Sequence, residues 1–189
     1  YLCTRFFNQM KEFKPLLLFL ARFLGTYIIL SLAYKLYLDQ YLPHNNPDPF
    51  TKLTSDITAF GLNKCGFFSF SNIAENHPWM RLVVDGQVAS IVNEGCNAIS
   101  ILIIFVSFIV AFYTNFKQTF LFILSGLAIL FVMNISRIML LNYIFRYHAE
   151  YGKMAHDYLF PAIIYGSIVI LWIVWIKFFV TKYNKRNAK

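Results

Sequence analysis

The sequence predicts an all-α integral membrane protein with four transmembrane helices, and two observations lead to that prediction. Of the 189 residues, 58% are hydrophobic and only 14% are charged, whereas soluble domains are nearer half apolar and a quarter charged. The apolar residues also gather into runs of about 20, which is the length that a helix needs to cross a hydrocarbon core of roughly 30 Å. We therefore interpret residues 1–189 as a single membrane domain.

Four apolar runs are predicted to cross the membrane. The first begins at Pro15, which suits the first turn of a helix because the missing N–H costs nothing there. A long loop, residues 39–95, separates the first run from the second, and shorter connections separate the others. The predicted spans are residues 15–38, 96–113, 118–143 and 157–180.

The long loop contains two further patterns. Residues 57–70 are apolar and aromatic but too short to cross a membrane. We expect them to lie along the membrane interface, to re-enter the membrane, or to pack over the outer mouth of the helices. Residues 77–95 are interpreted as irregular or strand-like, and they lead into the second span.

The distribution of Lys and Arg predicts the orientation in the membrane. The N-terminal segment, the turn around Lys117 and the C-terminal tail are basic, whereas the loop 39–95 holds only three basic residues. Cytoplasmic segments of membrane proteins are enriched in Lys and Arg. Both termini are therefore predicted to face the cytoplasm, and the loop 39–95 and the connection 144–156 to face outward.

The net charge of +8 does not indicate a nucleic-acid partner. Its basic clusters flank apolar runs, as the cytoplasmic ends of membrane helices do, and no RNA- or DNA-binding motif accompanies them. The first residues carry charges and no small-residue cleavage site, so we expect no removable signal peptide.

Three polar residues are predicted to lie at one depth near the outer membrane surface. Each lies 19 to 21 residues from a residue that marks the cytoplasmic edge. That separation is about 29 to 32 Å of helix at 1.5 Å per residue, or about one hydrocarbon thickness. The pairs are Cys96 with Lys117, Arg137 with Gln118, and His156 with Lys177.

A thiol, a guanidinium and an imidazole are the groups that cysteine-based acyl transfer requires. The thiolate attacks a carbonyl carbon, and Cys96 is expected to open a helix, where free N–H groups favour a thiolate. His156 can accept the proton because histidine changes charge near neutral pH. Arg137 can stabilise the oxyanion with its fixed charge and its fork of donors.

Each of these residues also has a structural interpretation. A lone cysteine in an apolar helix usually packs as a small hydrophobe, and Cys96 could instead form a disulfide with Cys65 in an oxidising compartment. Arg137 could anchor a helix end at the interface, and His156 with Asp157 could cap the fourth span. The alternatives to an enzyme of this kind are a non-enzymatic membrane scaffold and a thiol-dependent membrane enzyme that acts on lipid.

A metal centre is conceivable but is not supported by spacing. No pair of ligands has the separation typical of a metal site, so we expect neither a metal nor an organic cofactor. The residues that such a centre would use are Glu94, Cys96, His148 and His156.

The short motifs around the three residues resemble those of the exosortase/archaeosortase family of membrane-embedded cysteine transpeptidases. The matching positions are Cys96 in NEGCNAIS, Asn134 and Arg137 in NISRI, and His156 in AHDYLFPAIIYG. The resemblance covers about residues 85–175. Many members have Cys-Ser-Gly and about eight spans, whereas this chain has Cys-Asn-Ala and four predicted spans. It is most similar to the short exosortase F-like members of Bacteroidota-type bacteria.

The resemblance implies a protein-sorting enzyme of the bacterial inner membrane with its active site facing the periplasm. Its substrates would be exported proteins with a C-terminal tail composed of a recognition motif, a transmembrane helix and a basic cluster. Cys96 would cleave the tail through a thioester, and a lipid or glycan acceptor at the surface would resolve it. Membrane lipids would surround the site, and the aromatic segment 57–70 would shield the thioester from water.

Four further residues are candidates for substrate binding or support. Asn134 lies one helical turn before Arg137 and is expected to orient the guanidinium, to contact the substrate backbone, or to join two helices. Glu94 is a candidate partner of Arg137, and Asp157 is a candidate to orient His156. Asn97 is included because it directly follows Cys96.

Overall fold

A computed structural model describes the backbone of residues 2–187 and the side chains of residues 13–183, 185 and 186. Of the residues in the predicted basic termini, the side chains of Arg5 and Lys11 and all of Lys189 lie outside these ranges. The helices that form most of the fold are α1 (Leu2–Leu38), α2 (Pro49–Lys64), α3 (Ile99–Ala111) and α4 (Phe116–Tyr147).

The last part of the chain is one continuous helix with two π-helical turns. The residues at each junction keep right-handed helical backbone angles, so the helix continues through both π-helical turns. Its segments are α5 (Ala149–Met154), a π-helical turn (Ala155–Leu159), α6 (Phe160–Val174), a second π-helical turn (Trp175–Val180) and α7 (Thr181–Asn187).

Three helical stretches of the described chain are long and apolar enough to cross a membrane: Phe13–His44, Phe116–Tyr147 and Ala149–Tyr183. They contain three of the four predicted spans, so the chain is a multi-pass helical membrane protein. Helix α3, which lies within the predicted span 96–113, has 13 residues. It is about 20 Å long and therefore shorter than a hydrocarbon core, so the fourth span and the orientation stay predictions.

The all-α prediction does not extend to the loop between the first two predicted spans, where the strand-like interpretation of residues 77–95 is confirmed. This loop contains α2 and an antiparallel sheet of three strands in the order β1-β2-β3. The strands are β1 (Ser69–Ile73), β2 (Met80–Val84) and β3 (Gln87–Val92). Asp85 and Gly86 join β2 to β3 with φ angles of 48° and 79°, which is the turn that an Asp-Gly pair forms between hairpin strands.

The sheet packs against α2 and α4, and Cys96 lies beside that contact. Residues from α2, β2, β3 and α4 form one buried apolar cluster, and the half-buried Cys96 packs against it. Ser90 of β3 also donates a hydrogen bond of 2.9 Å to Oδ1 of Asn142 in α4. The members of the cluster are Ala59, Met80, Leu82, Val92 and Ile138.

Helices α3, α4 and α6 form a second core within the apolar part of the molecule. Phe105 of α3 is fully buried against Leu130 of α4 and Ile168 of α6. A Cβ atom placed on Gly126 of α4 would lie 2.2 Å from the Phe105 ring. Glycine therefore allows α3 and α4 to approach closely, as small residues do between membrane helices.

The turn between β2 and β3 is fixed to the end of α4. Tyr147 donates a hydrogen bond to the Asp85 carboxylate, and the Phe68 backbone N–H donates another at 3.0 Å. These two hydrogen bonds, with the one from Tyr147 the stronger, lower the pKa of Asp85 below its ordinary value. The stabilisation is therefore present above the ordinary carboxyl range and is lost as the pH falls through the lowered pKa.

Candidate active site

A cavity of about 400 Å³ is lined by all three residues that the sequence singles out for chemistry. Cys96 comes from the segment between β3 and α3, Arg137 from α4, and His156 from the first π-helical turn. All the other lining residues belong to β3 or α4. These residues are Val88, Ala89, Ser90, Ile91, Val92, Ile138, Leu141 and Phe145.

Cys96 lies in a turn rather than at the start of a helix. Its backbone N–H donates to the Asn93 carbonyl at 2.9 Å, and α3 begins only at Ile99, after Ala98 with a left-handed φ of 68°. The expectation that Cys96 opens the helix is therefore wrong. The depth assigned to Cys96 assumed a continuous helix to Lys117, whereas only part of that segment is helical, so the depth stays a prediction.

Asn97 explains why the helix starts late. Its Oδ1 accepts the N–H of Ile99, the first residue of α3, at 3.0 Å, so one of the N–H groups that a helix start leaves free has a partner. Its Nδ2 donates to the Tyr34 hydroxyl of α1 at 2.9 Å and to Thr51 Oγ1 of α2 at 3.0 Å. The fully buried Asn97 side chain thus joins three helices beside Cys96, and its role is to position the Cys96 segment.

Replacing Asn97 with alanine is expected to lower the free energy of unfolding by about 2 to 4 kcal/mol, because three hydrogen bonds are lost and the buried Thr51 hydroxyl loses one of its partners. Chemical unfolding of the full chain in detergent measures the change. Asn72→Ala is the matched control, since Asn72 is exposed on β1. Equal stability of the two variants would contradict the positioning role of Asn97.

Asn134 connects α4 to the backbone of the cysteine. This nearly fully buried side chain donates from Nδ2 to the Cys96 carbonyl oxygen at 2.9 Å. Asn134 therefore joins α4 to the segment between β3 and α3. Arg137 lies one turn further along the same helix face. The same face of α4 therefore places the guanidinium at the cavity and binds the backbone of Cys96.

Arg137 and Glu94 each have a buried polar atom without a protein partner. Nε of Arg137, Oε2 of Glu94 and Oδ1 of Asn134 are buried and accept or donate no hydrogen bond within the described residues. The ion pair between Glu94 and Arg137 that the sequence allows is not formed. Buried polar groups normally have partners, and of these three residues only Arg137 lines the cavity at Cys96.

His156 is joined to Asp157, as the sequence allows. The His156 Nδ1 and the Asp157 Oδ1 are 2.8 Å apart, and the two side chains are 53% and 41% exposed. A carboxylate at Nδ1 orients the imidazole ring and leaves Nε2 free for another partner. The π-helical turn in which both residues lie is a type of distortion that is common at functional sites.

The disulfide considered between Cys65 and Cys96 is not formed, and both thiols are free. Cys65 lines a separate cavity of about 270 Å³ together with Ser136 and Met139 of α4. Arg137 lines the other cavity from a different face of α4. The two cysteines therefore lie on different sides of this helix.

Glu94, Cys96, His148 and His156 do not form a metal site. Within the described part of the chain, no three His, Cys, Asp or Glu side chains come together as ligands. The ring centroid of His148 lies 5.8 Å from that of Tyr143.

The bounds predicted for the connection, residues 144–156, are wrong, because α4 continues to Tyr147 and α5 begins at Ala149.

The aromatic segment 57–70 is not part of the cavity wall. Its first residues belong to α2, and Phe67 packs against Tyr143 and Tyr147 of α4. The wall opposite α4 is instead β3, which the sequence interpretation did not assign to the site. The Asp85-Gly86 pair between two apolar runs was the signal that indicates this hairpin.

A second cavity of about 530 Å³ lies at the other end of α4. It holds the cationic side chains of Lys182 and Arg186 but neither a thiol nor an imidazole, so it lacks the groups for acyl transfer. Its other lining residues are Asn115, Gln118, Phe178, Phe179 and Tyr183.

The fold and the cavity define a multi-pass helical membrane protein with a cysteine, an arginine and a histidine around one pocket. The model of the transmembrane exosortase family matches residues 15–179, which is most of the chain. The chain therefore belongs to this family, and the family predicted from the motifs is confirmed. No curated protein and no solved structure matches the chain. The short Bacteroidota-type subfamily stays a prediction.

Proposed function

We propose that this transmembrane exosortase is a cysteine transpeptidase that cleaves the C-terminal sorting tails of exported proteins. The observation that supports the proposal most is the shared cavity of Cys96, Arg137 and His156. These side chains come from three separate parts of the chain and supply a nucleophile, a cation and a base. The family match is consistent with this chemistry.

The first half of the proposed reaction forms a thioester. His156 Nε2 takes the proton of the Cys96 thiol, and the sulfur attacks the carbonyl carbon of the scissile peptide bond. Arg137 donates hydrogen bonds to the oxyanion of the tetrahedral intermediate. The carbon–nitrogen bond then breaks, the imidazolium returns the proton to the leaving amine, and the tail departs.

The second half transfers the acyl group to an acceptor. A hydroxyl or amino group of a lipid or glycan attacks the thioester carbonyl while His156 accepts its proton. The carbon–sulfur bond breaks, the proton returns to sulfur, and the Cys96 thiol is restored. Arg137 stabilises the second oxyanion in the same way as the first.

The proposed site faces the periplasm from the bacterial inner membrane. The basic residues near Lys117 and Lys177 favour a cytoplasmic location for the opposite ends of α4 and α6. His156 lies 21 residues before Lys177 in a continuous helix, or about 32 Å away. A substrate that is held in the same membrane by its own helix would reach this level by diffusion in two dimensions.

The acyl-enzyme is the species that tests the proposed function. The protein is co-expressed with an exported protein of the same cell that carries such a tail. We expect the substrate to be attached to Cys96 as a hydroxylamine-sensitive adduct. Mass spectrometry of the peptides of the enzyme measures this adduct. Cys65→Ser is the matched control and should retain the adduct. Continued tail cleavage with no adduct on Cys96, or an adduct on Cys65 alone, would reject the thioester mechanism.

A further inference from the structure

Strand β3 has one edge that is not paired with another strand in the part of the chain that the structure describes. The Asp85 N–H donates a hydrogen bond to the Phe68 carbonyl, and the Ala74 N–H donates one to the Trp79 carbonyl. The odd-numbered residues from Trp79 to Asp85 therefore form their backbone hydrogen bonds on the side of β1. Arg81 is one of them, and it lies opposite Ile91 of β3. Because hydrogen-bonded and non-hydrogen-bonded pairs alternate in an antiparallel ladder, the Ile91 N–H and C=O point away from β2.

The cavity at Cys96 follows this open edge. Successive side chains of a strand point to opposite faces, so a cavity on one face of β3 would touch every second residue. A bulge between Val88 and Ser90 interrupts the alternation, but Ser90, Ile91 and Val92 follow one another without interruption and all three line the cavity. The cavity is therefore a groove along the edge of β3, with α4 as its opposite wall.

The groove leads directly to the proposed nucleophile. Cys96 follows Val92, the last residue of β3, by four positions, and Arg137 and His156 line the same groove. Val88 and Ile91 are 57% and 49% exposed, although proteins usually cover or blunt an apolar strand edge because it pairs readily with other chains. The edge is thus continuous with the proposed site and suited to an extended peptide.

We propose that the substrate peptide binds as a fourth strand on the open edge of β3, with its scissile bond held at Cys96. This inference rests on the proposed function and adds how the substrate is recognised. Backbone hydrogen bonds to β3 supply affinity that does not depend on sequence, and the side chains that alternate toward α4 supply specificity. The N–H and C=O of Ile91 are the backbone groups of β3 that we assign to the hydrogen bonds with the substrate peptide.

Peptide reagents test the strand pairing on the full-length protein in detergent. Tetra-alanine vinyl sulfone is expected to alkylate Cys96 at least tenfold faster than methyl vinyl sulfone, which has the same electrophile without a peptide. A strand pairs through every second amide. N-methylation of one amide should therefore slow the reaction about fivefold or more, the effect of one lost hydrogen bond, whereas N-methylation of the adjacent amide should not.

A variant of β3 tests the same pairing from the side of the protein. Ile91→Pro removes the N–H that points away from β2, which an edge strand tolerates, and should slow the peptide reagent about fivefold or more. The rate with methyl vinyl sulfone should not change. Ile73→Pro is the matched control, because Ile73 is also exposed and lies on β1, the other edge strand of the sheet, away from the cavity.

The outcomes separate this inference from the proposed function. Equal rates for the two N-methyl isomers, or an unchanged peptide rate in Ile91→Pro, would overturn the strand pairing while Cys96 stays reactive. A Cys96 that reacts with neither reagent, although the exposed Cys65 reacts, would overturn the proposed function and this inference with it. A dimer that Ile91→Pro converts to a monomer in light scattering would assign the edge to a second copy of the chain and also overturn it.

Discussion

Replacing Cys96 with alanine is expected to abolish tail cleavage, with a loss of at least about a thousandfold in rate. The described residues offer no second thiol in the cavity, since Cys65 lies on another side of α4. The assay follows the conversion of a co-expressed exported protein with a sorting tail, by gel mobility and by the mass of its new C-terminus. The variant should accumulate to the same level as the wild type, because the thiol is half-buried.

The controls for this experiment distinguish the alternatives to a peptidase. Cys65→Ala should cleave at the wild-type rate. Normal cleavage in Cys96→Ala, in a folded protein, would favour a scaffold in which Cys96 only packs against the apolar cluster of α2, the sheet and α4. A thiol-dependent change in lipid without cleavage would favour an enzyme that acts on lipid. A membrane-impermeant thiol reagent should label Cys96 from the periplasmic side, and labelling from the cytoplasm alone would contradict the proposed orientation.

Replacing Arg137 with lysine is expected to reduce the rate of cleavage about a hundredfold to a thousandfold. Lysine keeps the positive charge but lacks the planar fork of donors that a guanidinium presents to an oxyanion. An arginine that only anchors a helix at the membrane interface is replaced by lysine with little effect. The measured quantity is the initial rate at matched protein level and matched melting temperature.

Arg146→Lys is the matched control, because Arg146 lies on the same helix and is also half-buried. Its guanidinium lies 5.2 Å from the ring centroid of Tyr147, and it does not line the cavity at Cys96. This variant should keep the wild-type rate. A full rate in Arg137→Lys would remove the oxyanion role and leave the anchoring role.

The sequence predicts the long helices because apolar runs of membrane length have few alternatives in lipid. It predicts only part of the sheet, the strand-like residues 77–95, and misses β1, because strands of five or six residues in an extramembrane segment produce only a short alternating pattern. The apolar residues on both sides of Asp85 and Gly86 indicate a hairpin locally. No local pattern, however, indicates that β3 lies against α4 rather than in solvent.

The candidate site is predicted in composition but not in geometry. Counting residues from the cytoplasmic edge selects Cys96, Arg137 and His156, yet the count assumes a helix at Cys96 where Asn97 and Ala98 form a turn. Whether the three residues share a cavity depends on how each helix is rotated about its axis. Contacts such as the hydrogen bond from Asn134 to the Cys96 carbonyl fix that rotation, and a single sequence does not reveal them.

The attachment of Cys96 to α4 has a consequence for how the protein responds to its bilayer. Membrane helices tilt when the thickness of the surrounding lipid changes. A tilt of α4 carries Arg137 and the cysteine backbone together, because Asn134 holds that backbone. His156 belongs to a different helix, so a change in bilayer thickness is expected to alter the distance between His156 and Cys96 more than the distance between Arg137 and Cys96.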